Sequence, residues 1–552
     1  MKKLICLLLL ITQIAAGQAI EKGDKLISND LVLMARGADI DSSGIRIVAE
    51  EETDSNLEGF VNVKSLGAKG DGKTDDRLAL QNAINANAKL YFPDGVYTIG
   101  NELMVTKKLT IRGGKKARII KNFSSPNTAL FKCKSSDIDI ANVEIKGIST
   151  SKFVQNEYGI HILGTSSDIH DGIRIVNTRI STLGHAAICI EYGKDFIVSG
   201  NRIIDINCTG IEILSSEKGT ISKNIVRDIN IGSAGNTYGI ILSLRLCDVD
   251  LPSRDIVVKN NTVVNVPLWE GIDTHAGQDI QIIGNTILNC AYGINASRCS
   301  ATSSMVPENI TIANNIIRKG TVQTPGRGIG SGGSSNTYAK NIVVSNNEVD
   351  GYGIDNNSEG AIMFYSTKKL KINANTITNS TASGINIQNR NEDYVITKNT
   401  IKKLNRGSTN AAGIIIRNAG QSGTVQDNYV DANKEYSMMV YGKGSNYFKN
   451  NTFLSNRGKY IGAEYVKGLE LVETTTNDLP PIESNSKATF TINVNSARPG
   501  DNVDVSTKAN IGSVSITGEV SATNIVTITI QNNSGKKVDP PLCSYSVKVT
   551  KQ

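Results

Sequence analysis

Two side chains suited to acid–base chemistry stand two residues apart in the segment "LWEGIDTHAGQD", residues 268–279: the carboxylate of Asp273 and the imidazole of His275. The segment also holds the only Trp of the chain and one of its four histidines. In an extended strand, residues i and i+2 project from one face, so the two groups would share a surface. A carboxylate beside an imidazole can orient it, neutralise it or share a proton with it near neutral pH. Whether the pair makes a site depends on what holds the segment in place.

The segment is one unit of a repeat. Asn-x-Ile or Asn-x-Val recurs at Asn201, Asn224, Asn261, Asn285, Asn315, Asn347, Asn375, Asn399, Asn428 and Asn451, with gaps of 23, 37, 24, 30, 32, 28, 24, 29 and 23 residues. The short gaps define the unit and the long ones read as insertions. Between the asparagines lies a second strand type, Gly-Ile-x-apolar, at Gly159, Gly210, Gly239, Gly271, Gly293, Gly384 and Gly413. A third apolar stretch, such as "DIQIIG" or "DFIVSG", often precedes the Asn. No such unit can bury its apolar side alone, so the units must stack. The expected fold is all-β, a parallel β-helix. The repeated Asn is expected at a left-handed turn, hydrogen-bonded along the stack to the next coil's Asn. Sequons such as Asn309-Ile310-Thr311 are read as part of this scaffold.

Composition agrees. Aromatics are 5% of 552 residues, Gly numbers 51 and Pro 11, which suits short strands and tight turns better than a helical bundle. The net charge of +7 is a weak surplus over this length and contains no basic run, so nucleic acid is not expected as a partner. The opening "MKKLICLLLLITQIAAGQA" reads as a signal peptide, residues 1–19, and implies a secreted, periplasmic or surface protein with no membrane span. Seven cysteines remain after it, without paired zinc spacing. Most read as small buried hydrophobes, with room for one disulfide.

The remaining boundaries follow from texture. Residues 20–60 are a leader, 61–465 the β-helix, 466–486 a linker containing "NDLPPIESNS", and 487–552 a small C-terminal β-sandwich. Within 62–100, a helix begins after Asp75 and Asp76, with Leu78, Leu80, Ala83 and Ile84 as its apolar side, and covers the open end of the stack. Asp71, Asp75 and Asp76 are read as turn and cap carboxylates in preference to cation ligands. The sandwich could trimerise the chain or attach it to a cell surface.

Period two then places the chemistry. The outward positions of successive coils are His161, Cys189, Glu212, Ile241, Asp273 and Asn295, followed two residues later by Ser243, His275 and Ser297. Asp273 and His275 are thus expected on an exposed face, with Arg245 on the coil before, Asn295 on the coil after, and Arg298 close by.

Two stretches carry a family resemblance. "GAKGDGKTDDRLALQNAI" followed by "FPDGVY" is similar to the N-terminal signature of the pectate-lyase-like superfamily of right-handed β-helices, and the Asn repeats extend it over residues 60–460. "EGIDTH" resembles the Tyr-Gly-Phe-Asp-Pro-His segment of alginate epimerases and related uronan enzymes. That resemblance implies catalytic roles for Asp273 and His275. The Tyr of the motif falls on Glu270, while Tyr238 and Tyr292 hold the same position in the coils on either side. The expected activity is C5 proton abstraction from an acidic polysaccharide, as lyase or epimerase. Arg245 would clamp the carboxylate, His275 act as base, Asp273 orient it, and Tyr238 or Tyr292 serve as acid. Glu212, Glu270, Asn295, Arg298 and His161 are candidate substrate contacts. No metal or other cofactor is called for, and Ca2+ is left open. A glycoside hydrolase using Asp273 with Glu270 or Glu212, and a non-catalytic polysaccharide-binding surface protein, stay open as alternatives.

Overall fold

The computed structural model describes residues 57–552, apart from 150–151, 231–234, 323–324, 334–336, 354–359, 405–410, 418–420, 434, 442–443, 456–458 and 462–465, together with the strands Ala38–Asp41 and Gly44–Ile47. Those two strands form an antiparallel pair by themselves. The expected signal peptide and most of the leader lie outside the described residues.

From Gly59 to Lys467 the chain is a right-handed parallel β-helix. A full coil runs through one strand of each type, as in Thr209–Leu214, Glu217–Ser222 and Ile225–Ile229. The third-type strands line up into one parallel sheet of sixteen, from Val61–Asn62 to Val466–Lys467. The Gly-Ile sheet stacks one Ile per coil inward. Ile188, Ile211, Ile240, Ile272, Ile294, Ile329, Ile362, Ile385 and Ile414 stand opposite one another in sequence and are fully buried. Each such burial removes apolar surface worth about 1.5–3 kcal/mol from water, so the column binds coil to coil. A glycine precedes most of these isoleucines and is set by close approach: a Cβ on Gly239 would lie 2.4 Å from the carbonyl oxygen of Gly271 in the next coil, and one on Gly210 2.5 Å from that of Gly239.

The asparagines form the ladder expected of them, but not for the backbone reason. Each Nδ2 donates to the next coil's Oδ1 at 2.9–3.0 Å, unbroken from Asn201 to Asn451. The left-handed residue is the one before each rung: Gly200, Lys223, Asn260, Gly284, Asn314, Asn346, Ala374, Lys398, Asp427 and Asn450 all have φ between 52° and 68°. The rung position therefore selects Asn for its side-chain amide, which donates and accepts at once in a buried column. The turn residue before it takes whatever tolerates positive φ.

The N-terminal end is closed as expected by the helix Arg77–Ala86, which buries Leu80, Ala83 and Ile84. Leu78 is exposed instead of packed, being on the solvent side of the first turn. Asp76 is the cap residue by position, yet its carboxylate accepts from the main-chain N–H of Lys69 (2.6 Å) and Gly70 (2.9 Å) and pins the preceding loop. Asp75 accepts from Arg77 N–H, and Asp71 from Lys73 and Thr74 N–H. At the other end the segment expected as a linker carries structure. Val466–Lys467 is the last strand of the third sheet, and Glu470–Asn477 pairs antiparallel with Cys543–Thr550. Two three-stranded antiparallel sheets make the C-terminal sandwich.

Candidate active site

Glu270, Asp273 and His275 project from one long strand, Thr262–His275. In most coils the corner between the Asn sheet and the Gly-Ile sheet interrupts the chain, as between Ile225–Ile229 and Tyr238–Ser243. Here, and in Thr286–Ser297 of the next coil, one strand runs through the corner, with a register shift between Val266 and Glu270. Pairing across coils follows the period-two reading: Tyr238, Glu270 and Tyr292 share one position, Ile241, Asp273 and Asn295 the next, and His275 faces Ser297.

Asp273 Oδ2 lies 2.7 Å from His275 Nε2. The expected exposed face is instead a recess. Asp273 is wholly buried and the His275 side chain keeps 21% of its exposure. Burial at this position recurs along the sheet, with Cys189 and Asn386 as fully covered as Asp273. Beside it, residues 244–253 and 298–307 are insertions that follow the strands before and after, and a Cys247–Cys299 disulfide joins them. Asp248 adds to the staple by accepting from Ser303 Oγ at 2.8 Å. The coil of Asp273 has no insertion, so it forms a floor between two walls. Of the other cysteines, 133, 189, 208, 290 and 543 are buried and free, as read from the sequence.

Burial works to lower the His275 pKa, but the Asp273 carboxylate prevails and holds the imidazole above its ordinary range. Burial first, and the Asp273 charge second, push the Glu270 carboxyl well above the usual carboxylate range, against a smaller opposing pull from Arg327. Burial, then the Asp273 and Glu270 charges, likewise push the Tyr238 phenol up, so it stays protonated. Tyr238 meets the His275 ring edge-on at 6.1 Å. Asn295 Nδ2 is 3.4 Å from Glu270 Oε1. Glu270 Oε2, Asp273 Oδ1 and Asn295 Oδ1 are buried acceptors without a hydrogen-bond partner among the described residues. Three such oxygens on adjoining positions are costly in a purely structural strand and suit ligand recognition. Tyr292 closes one side, edge-on to Trp269 at 5.3 Å, with the Arg327 guanidinium 5.5 Å from its ring.

The structure divides the expected residues into two groups. Glu270, Asp273, His275, Asn295, Tyr238 and Tyr292 come together. Arg298 stands half-exposed at the start of the second wall. Arg245 does not join Asp273 and His275. Its main-chain N–H is tied back to Ser215 Oγ, and its Nε donates to Glu191 Oε2 at 2.9 Å, a buried carboxylate that draws the guanidinium away. His161 also pairs with Glu191, at 3.1 Å, and Glu212 stacks in that neighbourhood beside Cys189. Two residues were missed. Glu191 was within reach of the period-two count, two residues past Cys189. Arg327 comes from an insertion, whose path no period predicts.

Residues 60–295 match the family model described as rhamnogalacturonase A/epimerase, pectate lyase-like, and residues 270–453 match that of the right-handed β-helix region. The plasmin and fibronectin-binding protein A of Streptococcus pneumoniae is 22% identical over 81% of this chain and 62% of its own length. A glucan 1,3-beta-glucosidase of Cochliobolus carbonum is 27% identical over 28% of this chain and 23% of its own. The chain thus spans less than two thirds of either relative. Among solved structures, a double mutant of the tailspike protein of E. coli bacteriophage HK620 superposes with a TM-score of 0.64 at 13% identity, covering 95% of this chain and all of that one, a likeness of fold alone. The repeat, the stacked coils and both family models agree: this chain is a right-handed parallel β-helix, similar over residues 60–295 to the pectate-lyase-like family.

Proposed function

We propose that the chain is a carbohydrate-active enzyme that cleaves glycosidic bonds of a polysaccharide in the Glu270–Asp273–His275 recess. The observation that carries this is a pair of carboxyl groups with opposed environments. Glu270 is kept protonated by burial and by Asp273, while Asp273 pairs with the His275 imidazole at 2.7 Å. A carboxyl held protonated beside a carboxylate paired with an imidazole supplies an acid and a base in one site. Glu270 gives its proton to the leaving glycosidic oxygen. Asp273, oriented by His275, takes the proton of the attacking water. Arg327, whose charge acts on Glu270 and whose guanidinium lies 5.5 Å from the Tyr292 ring, supports an acidic polysaccharide as the preferred substrate class.

Proton abstraction at C5, by β-elimination or epimerisation, is the second reading. The protonated Tyr238 at the His275 edge favours it, since it supplies an acid for that route. Two facts weigh against it. The expected clamp, Arg245, is engaged by Glu191, and an imidazole held above its ordinary range keeps its proton to higher pH, so less of it is free to accept one. The Cys247–Cys299 disulfide supports an exported protein. The C-terminal sandwich is then available for assembly, as a trimer or otherwise, or for attachment.

The test is digestion of a panel of uronans and neutral glycans. New reducing ends without ultraviolet absorbance from an unsaturated product, lost in Glu270→Gln and Asp273→Asn, are expected. Absorbance would establish elimination in place of hydrolysis. No change in any glycan by either readout, nor by sugar composition, would sink the enzymatic reading.

A further inference from the structure

Upstream of the recess the same outward columns bring together a different set of donors. His161, Cys189 and Glu212 occupy one register position in three successive coils. Glu191 projects two residues beyond Cys189 on the strand Ala186–Glu191. His161 Nε2 is 3.1 Å and Cys189 Sγ 3.9 Å from the same oxygen, Glu191 Oε1. The nitrogen, sulfur and carboxylate atoms of these three residues all lie within 4.8 Å of one another. His161, Cys189 and Glu191 are 6%, 0% and 5% exposed. Tyr158 lies over the His161 ring at 4.4 Å and forms a wall.

An ion triad of His161, Glu191 and Arg245 explains part of this. It leaves a thiol buried between two carboxylates, and Glu212 Oε2 buried without a hydrogen-bond partner among the described residues. Both make sense if a cation sits among them. Zinc binds His nitrogen at ~2.0–2.1 Å, thiolate sulfur at ~2.3 Å and carboxylate oxygen at ~2.0–2.2 Å, which in a tetrahedron spaces ligand atoms roughly 3.2–3.8 Å apart. The 3.1 and 3.9 Å separations are close to that spacing, and the third lies within 4.8 Å. We propose that His161 Nε2, Cys189 Sγ and Glu191 Oε1 form a three-residue binding site for a divalent metal of the zinc type. Glu212, opposite Cys189 in the next coil, adds a neighbouring negative charge.

Arg245 would be the outer support of this site. It holds Glu191 Oε2 at 2.9 Å and so turns Oε1 toward His161 and Cys189. On binding, the ring proton of His161 resides on Nδ1 and its Nε2 lone pair faces the metal, while the Cys189 thiol proton is released to solvent. One thiolate and two carboxylates then balance the ion and the guanidinium. The mixed nitrogen, sulfur and oxygen donors favour zinc over calcium or magnesium, which take oxygen.

The full chain, stripped with a chelator and dialysed, is titrated with Co2+ alone. One equivalent should produce a thiolate-to-cobalt charge-transfer band, displaced by Zn2+ and absent from Cys189→Ser. Arg245→Met, a change at a partly exposed side chain, should keep the band but weaken Co2+ affinity roughly 10–100-fold. Asp273→Asn, in the other recess, should leave the titration unchanged. Absence of the band in the folded chain, or its survival in Cys189→Ser, overturns the site. If Cys189→Ser does not fold by circular dichroism, the Arg245→Met shift and the zinc content of the dialysed parent decide: no shift and no bound zinc also overturn it.

Discussion

The Asn ladder makes a quantitative claim, and Asn285 tests it next to the recess. Asn285 is fully buried, and its Oδ1 accepts from both the main-chain N–H (2.9 Å) and the Nδ2 (3.0 Å) of Asn261. Its own Nδ2 donates to Val258 O and Asn315 Oδ1. In Asn285→Ala, Asn315 Oδ1 keeps the Asn285 N–H, but the main-chain N–H and one amide hydrogen of Asn261 lose their acceptor, while the other amide hydrogen still reaches Ile221 O. A stranded buried donor costs about 1–3 kcal/mol, so the variant should lose about 2–6 kcal/mol. Asn285→Asp should fare no better. It restores the acceptor for Asn261 but turns an oxygen toward Val258 O and Asn315 Oδ1. The double variant Asn261→Ala with Asn285→Ala should lose clearly less than the sum of the singles, because the first removes one of the donors the second strands. Gln281→Ala, at an exposed position on the third sheet, should stay within about 0.5 kcal/mol of the parent. Urea midpoints with unfolding rates measure all five, the Asn261→Ala single included. An Asn285→Ala protein as stable as Gln281→Ala would refute the view that the ladder holds the coils together.

The remaining predictions concern the recess and its walls. Glu270 has an ordinary pKa of 4.5 when unfolded and a raised one when folded, so the folded state binds the extra proton between the two, and stability falls as pH rises through that window. Glu270→Gln should therefore gain on the parent as pH rises from the ordinary carboxylate range and match it below that range. Equal pH–stability curves would contradict the assignment. The His275 pairing with Asp273, raised above 6.5, stabilises fully below that value and is lost as pH climbs through the folded one, so Asp273→Asn should be more costly in acid than in alkali. Replacing Cys247 and Cys299 together by Ser opens a link across 52 residues, worth at most about 4 kcal/mol by loop-closure entropy, read as a fall in denaturation midpoint that reductant reproduces in the parent. Gly326→Ala places a Cβ 2.0 Å from the Tyr292 ring and should displace it, lowering kcat/KM roughly 10–100-fold with the fold intact.

What was legible in the sequence was whatever the period controls. The alignment of Tyr238, Glu270 and Tyr292, and of Ile241, Asp273 and Asn295, follows from counting by twos from a repeated Gly-Ile, because coil stacking fixes register. The ladder was legible for the same reason. The burial of Asp273 was not, since period two separates inward from outward positions but does not say that the outward ones of this sheet, Cys189 and Asn386 among them, are covered as well. Arg245 shows the same limit. Its position was counted correctly, but its direction is set by a buried carboxylate on another coil. The left-handed residue was placed one position late because Asn suits both roles, and only the hydrogen bonds separate them. The strand Glu470–Asn477 escaped because its partner lies at the far C-terminus, Cys543–Thr550, beyond any local pattern.

The ladder has a consequence for how such a chain can change. Rungs separated by 23 residues and by 37 residues are bonded at the same 2.9 Å. Contour length between rungs is therefore free, while the rise between them is fixed. A segment can be lengthened at any corner without retuning its neighbours, much as pages of different width share one binding. The two walls of the recess are such lengthened segments, and the unlengthened coil between them carries the reactive groups. Swapping 244–253 and 298–307 as a linked pair offers a way to reshape what enters the recess while leaving the floor untouched.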